Sequence, residues 1–528
     1  MPLPISPICA TDWPCNALYG KQLIICPLSE RNSKMNKRKS GILLHITSLP
    51  GKEGIGTLGA EAVKFVDFLK ETGQKIWQIL PLGPVGYGNS PYQCYSAFAG
   101  NPLLIDLQVL SQEGLIPNED LAAVPRFPAK EVSFDKVERW KMPLLRKAFQ
   151  VFRDRNFERY RDEYGRFLDE HNWWLGDYAL FMAAKQHFNN DDWHLWPRPV
   201  KFREEAGLND LKQELAEEIE FRKFLQFVFF RQWHALKAYA NDNGVEILGD
   251  VPLYVSGDSA DVWANTDIFV LDENLQPTEV GGVPPDYFSE TGQLWGNPVF
   301  DWERLQKRGY DWWAARLHFN LRMFNLVRID HFRGLESFWS VPAGEQTAIN
   351  GEWIPAHGHN LLSLIKSHLG KLLFIAEDLG IITPEVDKLR EDFGLPGMKV
   401  LQFAFTTDAE NKDLPHNYGK NFVVYTGTHD NNTTLGWLNA LEGEEKRCVK
   451  QYLKGEGKEA LAELLEMALA SVARTAVVPM QDVLELGEEA RMNTPGTPSG
   501  NWAWRFRWSD LKTHQRRLLK SLIEKYNR

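Results

Sequence analysis

From residue 41 onward the chain alternates short apolar, β-rich runs with longer stretches in which apolar residues recur every three or four positions. Short runs bounded by Gly, Pro, Asp, Asn or His read as strands, and the longer period reads as helix. The predicted strands are Ile42–Ile46, Ile76–Leu80, Val245–Leu248, Leu326–Ile329, Leu372–Ala376, Val400–Phe403, Phe422–Tyr425 and Ala476–Val478. Most are followed by a helical pattern, so the repeating unit is βα. Eight such units suit a closed parallel (β/α)8 TIM barrel.

The units are unevenly spaced. Between the second and third predicted strands lie roughly 160 residues with helical patterns such as Lys141–Arg155 and Asp210–Lys223, too many for a simple crossover. This predicts a large helical insertion after strand 2. A second excursion, Ser256–Gln306, follows strand 3 and reads as a structured, lid-like loop. The expected organisation is a leading segment at 1–39, the barrel start at 40–107, inserted helices at 108–240, and the rest of the barrel at 241–528 with its lid-like insertion at 256–306. The final helical pattern, Leu511–Lys525, leaves no room for a C-terminal β-sandwich.

Composition narrows the function classes. The 528 residues are 43% hydrophobic and carry a formal net charge of -10, which offers no general basic surface for a nucleic-acid backbone. No apolar run approaches the ~20 residues that span a bilayer, so no membrane partner is expected. The cysteines at 9, 15, 26, 94 and 448 show neither a disulfide framework nor metal-ligand spacing, which fits a reducing compartment. The expected location is the cytoplasm, and the expected assembly, which the sequence does not specify further, is a monomer or homodimer. Three of those cysteines and five prolines fall in the first 34 residues. That segment reads as a loose extension, as sequence upstream of a start at Met35, or as a transit peptide that would place the protein in the plastid stroma.

In a TIM barrel, chemistry gathers where strands end at the C-terminal face. Here those ends are acidic: Gly249 and Asp250, Asp330 and His331, Glu377 and Asp378, and Thr428 leading to His429 and Asp430. Any one of these is unremarkable, because an Asp after a strand commonly caps a helix or closes a turn. Together they offer the pair that glycoside cleavage needs, one carboxylate to attack the anomeric carbon and one carboxyl to protonate the leaving oxygen. Neighbouring strands about 4.8 Å apart can supply the separation of about 5 to 5.5 Å that retaining enzymes use. Arg328, two residues before Asp330, shares its side of the strand and could hold it ionised; a structural ion pair is the plainer reading. His429 could bind sugar hydroxyls or satisfy a buried polar group.

Seven segments, in order, resemble the amylomaltases, the 4-α-glucanotransferases or disproportionating enzymes of glycoside hydrolase family 77. They are SGILLHITSLPG from Ser40, GYGNSPYQ from Gly86, GDVPLYV from Gly249, GGVPPDYFSETGQLWGNP from Gly281, RIDHFRG from Arg328, AEDLG from Ala376 and TGTHDNNTT from Thr426. The resemblance implies Asp330 as nucleophile, Glu377 as general acid/base and Asp430 as the carboxylate stabilising the transition state. It places Asp250, Arg328 and His429 around a glucosyl unit, with Ser90, Tyr92, Asp286, Gln293, Trp295 and Asn501 as further substrate contacts. The implied partners are α-1,4-glucans and maltooligosaccharides, with glucose as an acceptor. Near Phe403 the likeness weakens, because Thr406 and Thr407 stand where acidic residues are expected.

Other readings are less well supported. Gly54, Gly56 and Gly59 form a GxGxxG, but it starts eight residues after its predicted strand, and the next strand ends in Pro81 and Leu82 without a ribose-binding acid. No Walker loop, zinc pattern or calcium loop occurs, so no cofactor or metal is expected. An α-glucan hydrolase with the same carboxylates is the nearest alternative, and a catalytically silent glucan-binding protein is the alternative from another class.

Overall fold

The computed structural model describes residues 37–285 and 289–528. Eight parallel strands form one sheet: β1 (Lys39–Leu43), β2 (Ile76–Gln78), β3 (Glu246–Val251), β4 (Leu326–Ile329), β5 (Phe374–Ala376), β6 (Gly397–Val400), β7 (Phe422–Tyr425) and β8 (Thr475–Pro479). Their hydrogen-bonded order is β6-β7-β8-β1-β2-β3-β4-β5. The two ends meet where the Ala376 N–H donates to the Pro396 carbonyl at 2.8 Å and the Met398 N–H donates to Asp378 Oδ1 at 2.6 Å. The barrel closes there and leaves no bare edge.

Two predicted strands shift. β1 lies three residues earlier than Ile42–Ile46, and Ile46–Ser48 instead forms a buried 3-10 turn. β6 ends where Val400–Phe403 was expected to begin, because Leu401–Phe403 turns over the barrel end. In both cases an apolar run extends beyond the ladder into a packed turn. The ladder itself includes polar residues, Ser40 and Lys399, that weaken the pattern.

Between β2 and β3 the chain forms α1 (Phe134–Val151), α2 (Phe157–His187) and α3 (Ala216–Asp242). Phe227 and Phe230 of α3 meet Phe167 and His171 of α2 at ring separations of 5.6 and 5.0 Å. Burying each such aromatic contributes about 1.5 to 3 kcal/mol. The C-terminal half of α3 also covers the barrel: Trp233 is fully buried and packs on Phe324, 5.6 Å away, just before β4.

The excursion after β3 is more regular than a loop. Glu279–Val283 and Gln293–Pro298 pair antiparallel, and Ser337–Pro342 and Glu352–Pro355, which follow β4, complete a four-stranded sheet. The lid and the segment after Asp330 are therefore one unit. Sequence periodicity could not join strands separated by a whole βα step.

The GxGxxG is a packing device. A Cβ on Gly56 would lie 1.8 Å from the Ile46 carbonyl, and one on Gly59 would lie 1.9 Å from Asp106 Oδ2. Asp106 accepts from Thr57 Oγ1 and caps the helix that starts at Leu107. Among the described residues, no helix is long and apolar enough to cross a membrane.

Candidate active site

Strand register decides which carboxyls become neighbours. Ile329 of β4 pairs with Ala376 of β5, so the next residues, Asp330 and Glu377, emerge side by side. Asp250 of β3 pairs with Arg328 of β4, which places acid and base on the same inner face. Arg328 is 4% exposed and Asp250 is 2% exposed, so neither charge can rely on solvent. Arg328 Nη1 meets both Asp250 oxygens at 2.9 and 2.7 Å, and Nη2 meets Asp330 Oδ1 at 2.8 Å.

A second network starts from β2 and β7. Tyr92 O–H donates to Asp250 Oδ2 at 2.8 Å. His429 Nε2 lies 2.9 Å from the same Tyr92 oxygen and 3.3 Å from Asp430 Oδ2. Since the single phenolic proton is committed to Asp250, the imidazole N–H is the donor to Tyr92 and Asp430. The two rings also stack, with centroids 5.3 Å apart. Asn493 Nδ2 donates to Asp430 Oδ1 at 2.6 Å, and Arg491 donates to its carbonyl at 2.8 Å.

Among the described residues, the Glu377 carboxyl takes its hydrogen bonds from backbone N–H groups. The His331 N–H donates to Oε2 at 2.7 Å and the Leu379 N–H to Oε1 at 3.1 Å. Burial pushes the carboxyl up to about 7, with Arg328 opposing and Asp330 adding to the rise. Burial likewise raises Asp330 to about 6; Arg328 pulls the other way but does not prevail against burial, Asp250 and Asp430. Arg328 thus opposes the rise in Asp330 without cancelling it. Asp430 differs. Burial also penalises its charge, but the His429 charge and hydrogen bond and the Asn493 amide outweigh that, leaving it below the ordinary carboxylate range. The side chains of Asp330 and Asp430 keep 26% and 43% of their exposure, so both open onto a cleft.

A proton-holding carboxyl beside a second carboxyl, with a third kept charged, is an arrangement that cleaves acetals. The comparisons agree with it. Residues 44–512 match the family profile described as 4-alpha-glucanotransferase. The chain is 50% identical over 495 residues to the 4-alpha-glucanotransferase of Thermus thermophilus, covering 92% of this chain and 98% of that one. It is 44% identical to the chloroplastic/amyloplastic 4-alpha-glucanotransferase of Solanum tuberosum, covering 93% and 87%.

The chain belongs to the 4-alpha-glucanotransferase family.

Its activity is 4-alpha-glucan transfer. The fold agrees as well: the amylomaltase of Streptococcus agalactiae in complex with acarbose superposes with a TM-score of 0.90 at 42% identity, covering 93% of this chain and 100% of that one.

The remaining residues expected to serve this glucanotransferase site divide into two groups. Gln293 and Trp295 lie on the lid strand, where Trp295 Nε1 donates to Gln293 Oε1 at 3.3 Å. Ser90 shapes the facing loop by accepting from the Tyr92 N–H at 3.2 Å, and Gln93 of that loop joins Asn297 of the lid strand at 3.2 Å. Asn501 stands apart. Its Oδ1 accepts from the Thr494 N–H, and its Nδ2 donates to the Thr497 carbonyl and hydroxyl, so the amide fastens its own loop. Thr406 is likewise engaged within its own loop, accepting from Asp408 N and Asn411 Nδ2. Asp286 lies outside the described residues.

Several site residues had no sequence signal. Asn493 and Arg491 grip Asp430 from outside every quoted motif. Trp502, in the left-handed region at φ 64°, packs 5.8 Å from Tyr92 and 5.9 Å from His429. His45, at the end of β1, is buried and held neutral, its pKa lowered to about 3 by burial and then by His429. His45 does lie within the family-like segment SGILLHITSLPG, which could have flagged it.

Proposed function

We propose that this 4-alpha-glucanotransferase acts by retaining double displacement, with Asp330 as nucleophile and Glu377 as general acid and then base. One observation carries the reading: Asp330 and Glu377 leave register-paired strands side by side, and Glu377 holds its proton to about 7. In the first step an Asp330 oxygen bonds to the anomeric carbon. The glycosidic C–O bond breaks, and the Glu377 proton goes to the departing 4-oxygen. In the second step Glu377, now a carboxylate, takes the proton of an acceptor 4-hydroxyl, whose oxygen displaces Asp330 and restores an α-1,4 bond.

Asp430, ionised beside His429, stabilises the oxocarbenium-like charge at both barriers. Asp250, Arg328, Tyr92 and His429 fix the glucosyl unit, while Ser90, Gln293, Trp295 and Asp286 extend the contact toward the lid. The donors are α-1,4-glucans and maltooligosaccharides, and the acceptor is glucose or another maltooligosaccharide. Support comes from the Streptococcus agalactiae relative, whose structure holds acarbose. The lid sheet favours sugar over water by positioning the acceptor and excluding solvent.

Incubation with maltotriose tests this assignment. Glucose and a ladder of longer oligomers should appear while total reducing ends stay constant. A steady gain of reducing ends would make the chain a hydrolase and reject the reading.

A further inference from the structure

The lid touches the acid carboxyl through a single intermediary. Trp295, on strand Gln293–Pro298, stands perpendicular to the His331 ring with centroids 4.8 Å apart. The backbone N–H of His331 donates to Glu377 Oε2 at 2.7 Å. His331 sits in the left-handed region at φ 52° and ψ 47°, which a residue with a Cβ does not favour. Its imidazole is not spent on an ion pair: burial lowers its pKa to about 3, so two neutral rings meet. Gly334 makes room for that ring, since a Cβ there would lie 2.9 Å from His331 Cδ2.

We propose that His331 is a positioning residue that couples the seating of lid strand Gln293–Pro298 to the orientation of Glu377. The left-handed backbone is what aims the N–H at the carboxyl, and packing of the ring against Trp295 is what pins that backbone. When the strand lifts, the ring loses its wall and the backbone relaxes toward ordinary φ. The N–H then turns away. Glu377 is left with the Leu379 N–H, a longer bond to its other oxygen. Alignment of the proton thus depends on the strand that carries acceptor contacts, so the acid is at full strength only when the lid is seated over sugar. This rests on the reading of Glu377 as the acid/base.

The remaining groups that face Glu377 stay constant across the test: Arg328 and Asp330 from β4, with Asp430 and His429 beyond them. The experiment is a double-mutant cycle on the pH profile of kcat, using Trp295→Ala, His331→Gly and the double variant. Glycine adopts either sign of φ, so His331→Gly does not threaten the fold. A lost N–H donor destabilises the carboxylate, so Trp295→Ala should move the alkaline limb up by about half a pH unit and lower kcat about tenfold, whereas His331→Gly, which holds a positive φ without a wall, should leave the limb in place. In the double variant Trp295→Ala should no longer move the limb, because the link it acts through is gone. A limb that stays in place in Trp295→Ala, or one that Trp295→Ala moves equally in the His331→Gly background, overturns the coupling. Glu377→Gln is run alongside: retained transfer in that variant defeats the acid/base assignment, whereas its loss with an unmoved limb in Trp295→Ala defeats only the role of His331.

Discussion

Arg328 reaches Asp330 with one terminal nitrogen at 2.8 Å while its other terminal nitrogen is committed to Asp250. One buried guanidinium thus serves two carboxyls, Asp250 buried and Asp330 at the edge of the cleft. Arg328→Gln leaves both without a cation, which for a buried pair costs about 3 to 5 kcal/mol. The expected result is a lower thermal midpoint together with a fall in kcat/KM of at least about a hundredfold. Arg328→Lys keeps the charge but loses the fork, and should recover much of the stability and little of the activity. Calorimetry with parallel transfer assays separates the two effects.

The pH response has opposite signs for different groups. Transfer needs Asp330 ionised and Glu377 protonated, so kcat/KM should peak between about 6 and about 7 and fall on both sides. Stability follows the raised values. Both groups keep protons in the fold that the unfolded chain has already released, so their contribution is present below about pH 4 and is lost as pH rises through about 7. The Asp330→Asn, Glu377→Gln double variant should therefore gain on the native protein in urea midpoint as pH goes from 4.5 to 8. Asp430 works the other way, since its depressed pKa adds stability that disappears only as pH falls below the ordinary carboxylate range. An activity profile flat from pH 5 to 9 would contradict the assignment.

The barrel and its acidic mouth were legible because their signals are local. Leu326–Ile329 and Phe422–Tyr425 coincide with observed strands, and the polar residues beyond them announce the site. The lid sheet was not legible as a sheet, because Glu279–Val283 pairs with Ser337–Pro342 across all of β4. The grip on Asp430 was missed for the same reason. Asn493 is an ordinary loop asparagine until the fold brings it 2.6 Å from that carboxylate. Backbone support for Glu377 leaves no trace in side-chain identity, so the role of the His331 N–H could come only from coordinates.

Tyr92 joins the two networks, through Asp250 on one side and His429 on the other. Tyr92→Phe removes both hydrogen bonds and keeps the ring stack on His429. Loss of a bond to a charged group costs about 1.5 to 3 kcal/mol. The variant should fold normally by circular dichroism and lose about ten- to hundredfold in kcat/KM, mostly in kcat if the glucosyl unit shifts against Asp330.

Asn493 and Asn501 share a loop and should behave differently. Asn493→Ala removes a donor that positions the Asp430 carboxylate, so kcat should fall about tenfold while the acid limb, set by Asp330, stays near 6. Asn501→Ala releases bonds within 494–501 and touches no carboxyl. It should raise KM a few-fold, increase proteolytic nicking of that loop and leave the pH limbs in place. Separate kcat and KM values for the two variants distinguish a carboxylate-positioning amide from a loop-fastening one.

The most direct measurement traps the covalent step. Glu377→Gln is incubated with an α-maltosyl fluoride, whose leaving group needs no acid, so that the first step proceeds while the unassisted second step stalls. Peptide mass spectrometry should then show one maltosyl adduct, on the carboxylate of Asp330. An adduct on any other residue, or none while fluoride is still released in a burst, would contradict the assignment of Asp330 as the nucleophile.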